Sequence, residues 1–155
     1  PAGENGLVWM RRGDASAYAY VGAVSRRDEE GWDTLGDIGH VDADGYLYLH
    51  DRADDLINRG GDKIAPALVE AALESHPHVE EAVAFGVADD ELGQVVHAAV
   101  RLVDGASPPE VLAHARSRLG RRAPVALHVT AEPLRNDAGK VRRAALALRF
   151  APARN

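Results

Sequence analysis

A lysine beside a glycine near the end of the chain is the first feature that could do chemistry. Gly139 and Lys140 lie in a polar stretch just before a predicted short helix. A lysine in such a loop can place a positive charge against a phosphate or carboxylate oxygen. Lys140 is one of only two lysines among the 18 basic residues. A loop lysine considered alone is more often a solvated surface charge, so the rest of the chain must decide between the two interpretations.

An aspartate flanked by glycines is the second such feature. Asp37 follows Gly36 directly and is separated from Gly39 by a single residue. A carboxylate in a turn of this kind can accept hydrogen bonds from the hydroxyl groups of a sugar. A turn aspartate is also common without any ligand. We expect one ligand to be held between the Asp37 region and the Lys140 region.

The elements that must position these residues predict an α+β fold. Alternating apolar residues indicate strands, and apolar residues at helical spacing indicate helices. The predicted elements are strands at Gly6–Met10 and Tyr18–Val21, a hairpin turning at Asp42–Gly45, a helix from Pro66 to His76, strands at Val79–Val87, Gln94–Val103 and Val125–Val129, a helix capped by Ser107 in a capping box with Glu110 and ending near Leu119, and a last helix at Val141–Leu148. Such a succession is typical of a small sheet, here of three strands, with about three helices on one or both faces.

Composition excludes several classes of function. The chain has no cysteine, which excludes a disulfide scaffold and a cysteine zinc site. Its histidines, such as His76, His78 and His97, lack metal-ligand spacing, so we predict no metal site. No apolar run approaches the roughly 18 residues of a membrane helix. Basic residues are concentrated after residue 100, but only 5% of the chain is aromatic, so no nucleic-acid partner is predicted.

Four motifs, in order, resemble those of the adenylate-forming (AMP-binding) superfamily. They are Trp32 to Asp37, Asp42 to Arg52, Arg52 to Glu70 through the double glycine, and Gly139-Lys140 with Arg143. The resemblance runs from about Gly3 to Leu148. It is to the C-terminal part of acyl-CoA synthetases, luciferases and the adenylation domains of peptide synthetases. The greatest similarity is to acyl-CoA synthetases of the fatty-acid or bile-acid type. Asn136 stands where this family usually has threonine.

The resemblance also implies a division into domains. Residues 1–52 would be the terminal β-strands of the large AMP-binding domain, and residues 53–155 a small mobile C-terminal lid. The phosphate loop and acyl pocket of the family lie upstream of this region. We therefore interpret the chain, which opens with Pro1, as an excised piece of a longer protein. The fragment alone is predicted to be inactive, with the missing large domain as its partner.

Three residues receive roles in nucleotide chemistry from this resemblance. Asp37 would bind the ribose hydroxyls of the nucleotide, and Arg52 would contact the ribose or the phosphate region. Lys140 would be the catalytic residue that meets the α-phosphate and the substrate carboxylate. Its positive charge would offset the negative charge that develops during transfer.

Three more residues are implied in movement and in access of the second substrate. Asp54 would be the hinge about which the lid rotates. Gly60 and Gly61 would line the tunnel for the pantetheine arm of coenzyme A. A side chain there would prevent close approach, which explains the use of glycine.

The implied function is that of a cytoplasmic, ATP-dependent acyl-CoA ligase, an acid-thiol ligase of fatty acid metabolism. Its substrates and cofactors would be a small-molecule carboxylic acid, ATP/AMP, coenzyme A and Mg²⁺, the last held mostly by the upstream domain. A homo-oligomer is compatible with the sequence. Two alternatives stay open: an acyl-AMP ligase that feeds a carrier protein, and a non-catalytic module that binds a nucleotide or a partner. The acyl group is also open, because its pocket would lie upstream.

Overall fold

The computed structural model describes residues 3–11 and 26–150. The chain separates into two compact units, Pro1–Asp54 and Asp55–Asn155. The boundary falls within a single 3₁₀ turn, Ala53–Asp55, which contains the predicted hinge residue Asp54. The assignment of these units to a large domain and a lid stays a prediction. The predicted strand Tyr18–Val21 lies outside the described residues.

The described part of the first unit consists mainly of short antiparallel strands. They are β1 (Gly6–Leu7), β2 (Arg26–Arg27), β3 (Asp33–Thr34), β4 (Asp37–Val41) and β5 (Leu47–Arg52). Strands β4 and β5 form the predicted hairpin, β1 pairs with the other edge of β4, and β2 pairs with β3. The first strand is shorter than predicted, because Met10 makes only an isolated bridge to Asp33.

The hairpin turn is built by one aspartate and one glycine. The Asp42 carboxylate accepts the backbone N–H groups of Tyr46 at 2.9 Å and Asp44 at 3.0 Å. Hydrogen bonds hold the pKa of Asp42 below its usual value, and the bond from the Tyr46 N–H has the largest effect. Gly45 has φ of 88°, a conformation that side chains disfavour. The turn predicted at Asp42–Gly45 is thereby confirmed.

The second unit contains a mixed sheet and all three helices of the described chain. Its elements are β6 (Ile57–Arg59), β7 (Asp62–Ile64), α1 (Pro66–Glu74), β8 (Val79–Asp89), β9 (Gly93–Leu102), α2 (Pro108–Leu119), β10 (Ala126–Val129) and α3 (Arg143–Phe150). The α+β class and the three predicted long strands are confirmed. The short β6–β7 hairpin extends the sheet to five strands.

Strand β9 is the centre of this sheet. It pairs antiparallel with β8 along its whole length. Its other edge is shared by two strands. There β10 runs parallel to it from the pair Ala126–His97, and β6 meets its first residue in the pair Arg59–Gly93. The β6–β7 hairpin and the end of β10 are therefore fixed by the same strand.

The helix ends follow the sequence only in part, since α1 stops at Glu74 before the predicted His76, and α3 spans Arg143–Phe150 in place of the predicted Val141–Leu148. Helix α1 begins at Pro66 as predicted, and Gly120 ends α2 with φ of 55°. The predicted capping box is wrong, because the Ser107 hydroxyl makes no capping hydrogen bond. Instead the Ser107 carbonyl accepts the N–H groups of Glu110 and Val111. Main-chain bonds thus begin α2 without the side chain.

Apolar side chains pack on both faces of the five-stranded sheet. One cluster joins the sheet to α1 and α2 and includes Ile57, Leu73 and Val111. The other centres on Phe85 and receives Leu146 and Phe150 of α3. This second cluster therefore holds α3, and the loop before it, against one face of the sheet.

Within residues 3–11 and 26–150, no helix is long and apolar enough to cross a membrane.

Candidate functional site

Lys140 lies in a tight loop that Asn136 closes. The Asn136 side-chain oxygen accepts the N–H groups of Lys140 at 2.8 Å and Ala138 at 3.1 Å. Main-chain bonds join Gly139 N–H to the Asn136 carbonyl at 2.7 Å and Asn136 N–H to the Lys140 carbonyl at 3.0 Å. Gly139 adopts φ of 70°, which permits the turn. Four hydrogen bonds therefore hold this loop, and two of them are made by the N–H and the carbonyl of Lys140 itself.

The side chain of Lys140, in contrast, is exposed. No hydrogen bond or ion pair of its ammonium is found with any other described residue. A cavity of about 270 Å³ lies beside it. The cavity is lined by Pro133, Leu134, Arg135, Asn136, Lys140, Arg142, Ala145 and Leu146. This is at the lower limit of pockets that enclose a whole small molecule. A hydrogen-bonded loop thus presents an exposed cation beside a cavity that could hold only part of a ligand.

Two arginines next to this loop meet one buried glutamate. Glu70, on α1, has a side chain only 8% exposed. Its Oε1 accepts Arg143 Nη2 at 2.8 Å and the Ala84 N–H at 3.0 Å. Its Oε2 lies 3.4 Å from Arg135 Nη2. Arg135 precedes the loop and Arg143 follows it, so both ends of the loop are joined to α1.

Arg143 connects the loop to two further places. Its Nε donates to the Ala84 carbonyl of β8 at 3.2 Å, and its Nη1 donates to Asp55 at 3.2 Å. Asp55 is the last residue of the 3₁₀ turn that holds the predicted hinge. Three acceptors around one guanidinium leave little freedom to a side chain that is 18% exposed. The first turn of α3 is fixed by this arrangement.

The sequence alone indicates no role for Glu70, Asp55 or Asn136. Glu70 and Arg143 occur in the motifs, but they lie far apart in sequence, and no local spacing indicates that they pair. The one available signal was Asn136, which stands at the threonine position of the family. Its side chain could accept main-chain N–H groups two and four residues later, as asparagine does in tight turns.

Asp37 and Arg52 are brought together by the strands. They are opposite each other on β4 and β5, and Arg52 Nε lies 3.7 Å from Asp37 Oδ1. Arg52 also donates to the Leu35 carbonyl at 2.9 Å. The Arg52 side chain is 59% exposed and that of Asp37 29% exposed, so this ion pair contributes little to stability. Their predicted contact with a nucleotide stays a prediction.

Gly60 and Gly61 form the turn between β6 and β7. They have φ of 55° and 90°. The Gly60 N–H donates to the Leu92 carbonyl at 2.8 Å, and a Cβ at Gly60 would lie 3.2 Å from the Leu92 side chain. A Cβ at Gly61 would meet open space. The turn itself requires glycine at Gly61, so the predicted role in a tunnel stays a prediction.

Comparison with known proteins gives the family. Residues 68–140 match the family described as AMP-binding enzyme C-terminal domain. A 2-succinylbenzoate–CoA ligase from Geobacillus kaustophilus is 44% identical over 138 residues, 87% of this chain and 26% of that protein. An oxalate–CoA ligase from Arabidopsis thaliana is 39% identical over 125 residues, 79% of this chain and 24% of that protein. The chain thus spans about a quarter of the length of these relatives.

A solved structure gives the same result for the fold. An amide bond synthetase from Marinactinospora thermotolerans matches with a TM-score of 0.79 and 30% identity. The match covers 97% of this chain and 32% of that protein. The resemblance first drawn from four short motifs is confirmed by these matches. The chain belongs to the adenylate-forming superfamily, and residues 68–140 are its AMP-binding enzyme C-terminal domain.

Proposed function

We propose that this chain is the C-terminal part of an ATP-dependent acyl-CoA ligase in which Lys140 is the catalytic residue. The observation that carries the proposal is the exposed ammonium of Lys140 on a loop whose backbone is held by Asn136. Rigid backbone and an unpaired charge are what a group needs in order to meet a developing negative charge without reorganisation. The names of the curated relatives support the reaction type.

The first step is formation of an acyl-adenylate. A carboxylate oxygen of the substrate attacks the α-phosphorus of ATP, and a new oxygen–phosphorus bond forms. The bond from the α-phosphorus to the bridging oxygen breaks, and pyrophosphate leaves with the electron pair. Lys140 would stabilise the negative charge on the α-phosphate oxygens in this step. Such a preorganised donor typically contributes about 3–4 kcal/mol to the barrier.

The second step is transfer to coenzyme A. The thiol sulfur attacks the acyl carbon, the bond from that carbon to the phosphate oxygen breaks, and AMP leaves. The thiol proton passes to a base or to water. Gly60 and Gly61 would line the path of the pantetheine arm. Asp54 would be the hinge for a rotation that exchanges Lys140 for this turn at the reacting atoms, a gating motion known in other enzymes.

Nucleotide binding in this proposal uses the β4–β5 hairpin. Asp37 would accept hydrogen bonds from the ribose hydroxyls, and Arg52 would contact the ribose or phosphate. Mg²⁺ would enter with ATP. Over residues 3–11 and 26–150, no group of three or more acidic, histidine or cysteine side chains could hold a metal ion. No step is therefore assigned to a metal held by this chain.

The acid and the acceptor are the open parts of the proposal. The two curated relatives name 2-succinylbenzoate and oxalate, and a fatty acid is one further carboxylate to test. The similarity to an amide bond synthetase favours one alternative acceptor, an amine in place of the thiol. Transfer to a carrier protein is another. A cytoplasmic location and a homo-oligomer remain predictions of the sequence.

The experiment measures carboxylate-dependent exchange of pyrophosphate into ATP by the full-length protein that carries this chain. We expect exchange with at least one acid in a panel, and a loss of about 100- to 1,000-fold in Lys140→Ala. Arg116→Ala removes an exposed cation from the last turn of α2 and is the matched control, expected to leave exchange unchanged. Circular dichroism shows whether each variant is folded.

Each alternative gives a different result when this exchange is measured together with the consumption of coenzyme A. Full exchange by a folded Lys140→Ala variant would contradict the catalytic role. No exchange with any acid would favour the non-catalytic module. Acyl-AMP formation without consumption of coenzyme A would favour a carrier protein or an amine as acceptor.

A further inference from the structure

Glu70 is the residue on which the connections of the Lys140 loop converge. The residue as a whole is 6% exposed, and it is one of the few residues with a charged side chain in the interior of the described chain. Both of its oxygens are used: one bonds Arg143 and the Ala84 N–H, and the other faces Arg135. An ionised carboxylate in such a place is costly unless it is paired and hydrogen-bonded. Glu70 meets both conditions.

The two arginines that meet Glu70 flank the Lys140 loop. Arg135 comes just before Asn136, and Arg143 opens α3 just after Lys140. The loop is further fixed at its start, where the Leu134 N–H donates to Glu81 at 3.0 Å. Apolar packing of α3 is not directional, but these charged contacts are. They therefore define how the loop is oriented relative to α1 and β8.

Stability alone does not account for this cluster. A buried ion pair often contributes little to the free energy of folding, because desolvation offsets the attraction. Its best-documented use is to select one arrangement among several of similar energy. A loop that must present one ammonium within a fraction of an ångström has this requirement, since misplacement of about 1 Å can lower a rate about 100-fold.

We propose that Glu70 is a positioning residue that acts through Arg143 and Arg135 to orient the Lys140 loop for adenylation. The proposal rests on the catalytic role of Lys140 proposed above. Glu70 touches neither nucleotide nor acid in this proposal. It acts on the loop from the buried side. The bond from Arg143 to Asp55 extends the same cluster to the turn at the unit boundary.

The main variant is Glu70→Gln in the full-length protein. The amide keeps the shape of the side chain and an oxygen for the Ala84 N–H, but it removes the charge that holds the two guanidinium groups. We expect pyrophosphate exchange to fall about 10- to 100-fold. Conversion of added acyl-AMP and coenzyme A into thioester should be little changed, because Lys140 is not needed in that step. Loss of folding would instead lower both half-reactions together.

The matched control breaks an ion pair at the C-terminal end of α3, the helix that Arg143 begins. Arg149 bonds Glu132 at 2.7 Å, with both side chains more than half exposed. Arg149→Ala should leave both half-reactions unchanged. Arg143→Lys keeps a positive charge but loses the fork that reaches two carboxylates, so its exchange rate should fall between those of wild type and Glu70→Gln.

A second readout does not require activity. In this chain, hydrogen exchange of the Lys140 amide reports whether the bond to Asn136 is held. We expect faster exchange at Lys140 in Glu70→Gln, and no change in Arg149→Ala. Unchanged amide exchange would overturn the positioning role whether or not the protein is a ligase. An equal loss of both half-reactions would also overturn it. An inactive wild type would contradict the proposed function alone.

Discussion

The two units of the chain differ in how they hold their candidate site residues. In the second unit, Lys140 lies on a loop fixed to a sheet whose two faces are covered by apolar clusters. In the described part of the first unit, no apolar side chain is buried. Its exposed large apolar residues are Leu7, Trp9, Met10, Leu35, Val41, Tyr46, Leu47, Tyr48 and Leu49. Asp37 and Arg52 lie there on paired strands, with an exposed ion pair between them and a bond from Arg52 to the Leu35 carbonyl.

This difference assigns stability and recognition to different parts of the chain. A unit with its own buried core can keep a loop in place by itself, since apolar burial is the main favourable contribution to folding. Strands with bare apolar faces are of the kind that marks a surface for another protein segment. We therefore expect substitutions in the second unit to change its own folding. Substitutions in the hairpin should mainly change what packs on it.

The largest expected effect tests the contrast between the two units directly. Leu73 is fully buried between α1 and the sheet, whereas Leu49 is 58% exposed. Leu73→Ala should lower the free energy of unfolding of the second unit by about 2–5 kcal/mol. Leu49→Ala should change that of the first unit by no more than about 0.5 kcal/mol.

Two spectroscopic signals separate the units in a urea titration. Both tryptophans, Trp9 and Trp32, belong to the first unit, so their fluorescence follows it. All three helices of the described chain belong to the second unit, so helical circular dichroism follows that one. Leu73→Ala should shift only the circular dichroism transition. A common shift of both signals would show that the units unfold together and would remove the contrast.

A pair of glycines sharpens the same contrast with a smaller effect. A Cβ at Gly39, in β4, would overlap the Tyr48 carbonyl of β5, so Gly39→Ala must push the hairpin strands apart. Such overpacking costs about 1–3 kcal/mol, and it should appear in the fluorescence transition. A Cβ at Gly139 would meet open space, but φ of 70° is strained for alanine by about 1–2 kcal/mol. That cost should appear in circular dichroism.

Gly6 provides the control for the Gly39 substitution. Gly6 is also in a strand of the first unit, with no atom within 4 Å of a built Cβ and no positive φ. Gly6→Ala should leave both transitions in place. If Gly39→Ala is equally silent, the hairpin tolerates separation of its strands, and Asp37 is not fixed by them.

Local patterns in the sequence were enough to find most elements. Pro66 and Gly120 mark helix ends by backbone chemistry that needs no knowledge of the fold. The apolar pair Ile57 and Ile64 did not reveal the β6–β7 hairpin, because each strand has only three residues. The capping box at Ser107 failed because main-chain bonds already begin the helix.

The candidate site could be predicted in part from the sequence, and the part that could not be predicted is non-local. Lys140 is visible from its motif because the loop and the glycine lie next to it in sequence. Its supports are not visible, because Glu70 and Arg143 meet only after α1 and α3 pack on the sheet. The last helix also begins later than predicted, at Arg143 and not at Val141. A side chain fixed by three distant acceptors sets that start, and no local pattern encodes it.

The smallest expected effect is a pH dependence confined to the second unit. His97 is buried and its Nδ1 lies 2.9 Å from Nε2 of His128, which stacks on Phe150 at 4.5 Å. Burial lowers the pKa of His97, and the charge of His128 lowers it further. Burial also lowers the pKa of His128. Burial thus favours the neutral form of both imidazoles where α3 packs on the sheet.

As the pH falls below about 6.5, the unfolded chain takes up protons at these two imidazoles that the folded unit does not bind. The contribution of these two groups to the free energy of unfolding is therefore fully present above that pH and is lost as the pH is lowered. The urea midpoint by circular dichroism should fall between pH 7 and pH 5 by more in wild type than in a His97→Gln, His128→Gln double variant. Leu146→Ala, which removes packing on the same cluster without a titrating group, should keep the wild-type pH dependence at a lower midpoint. An equal slope in the double variant would assign the pH dependence to other groups. In that case the two histidines would contribute only packing to the face that holds α3.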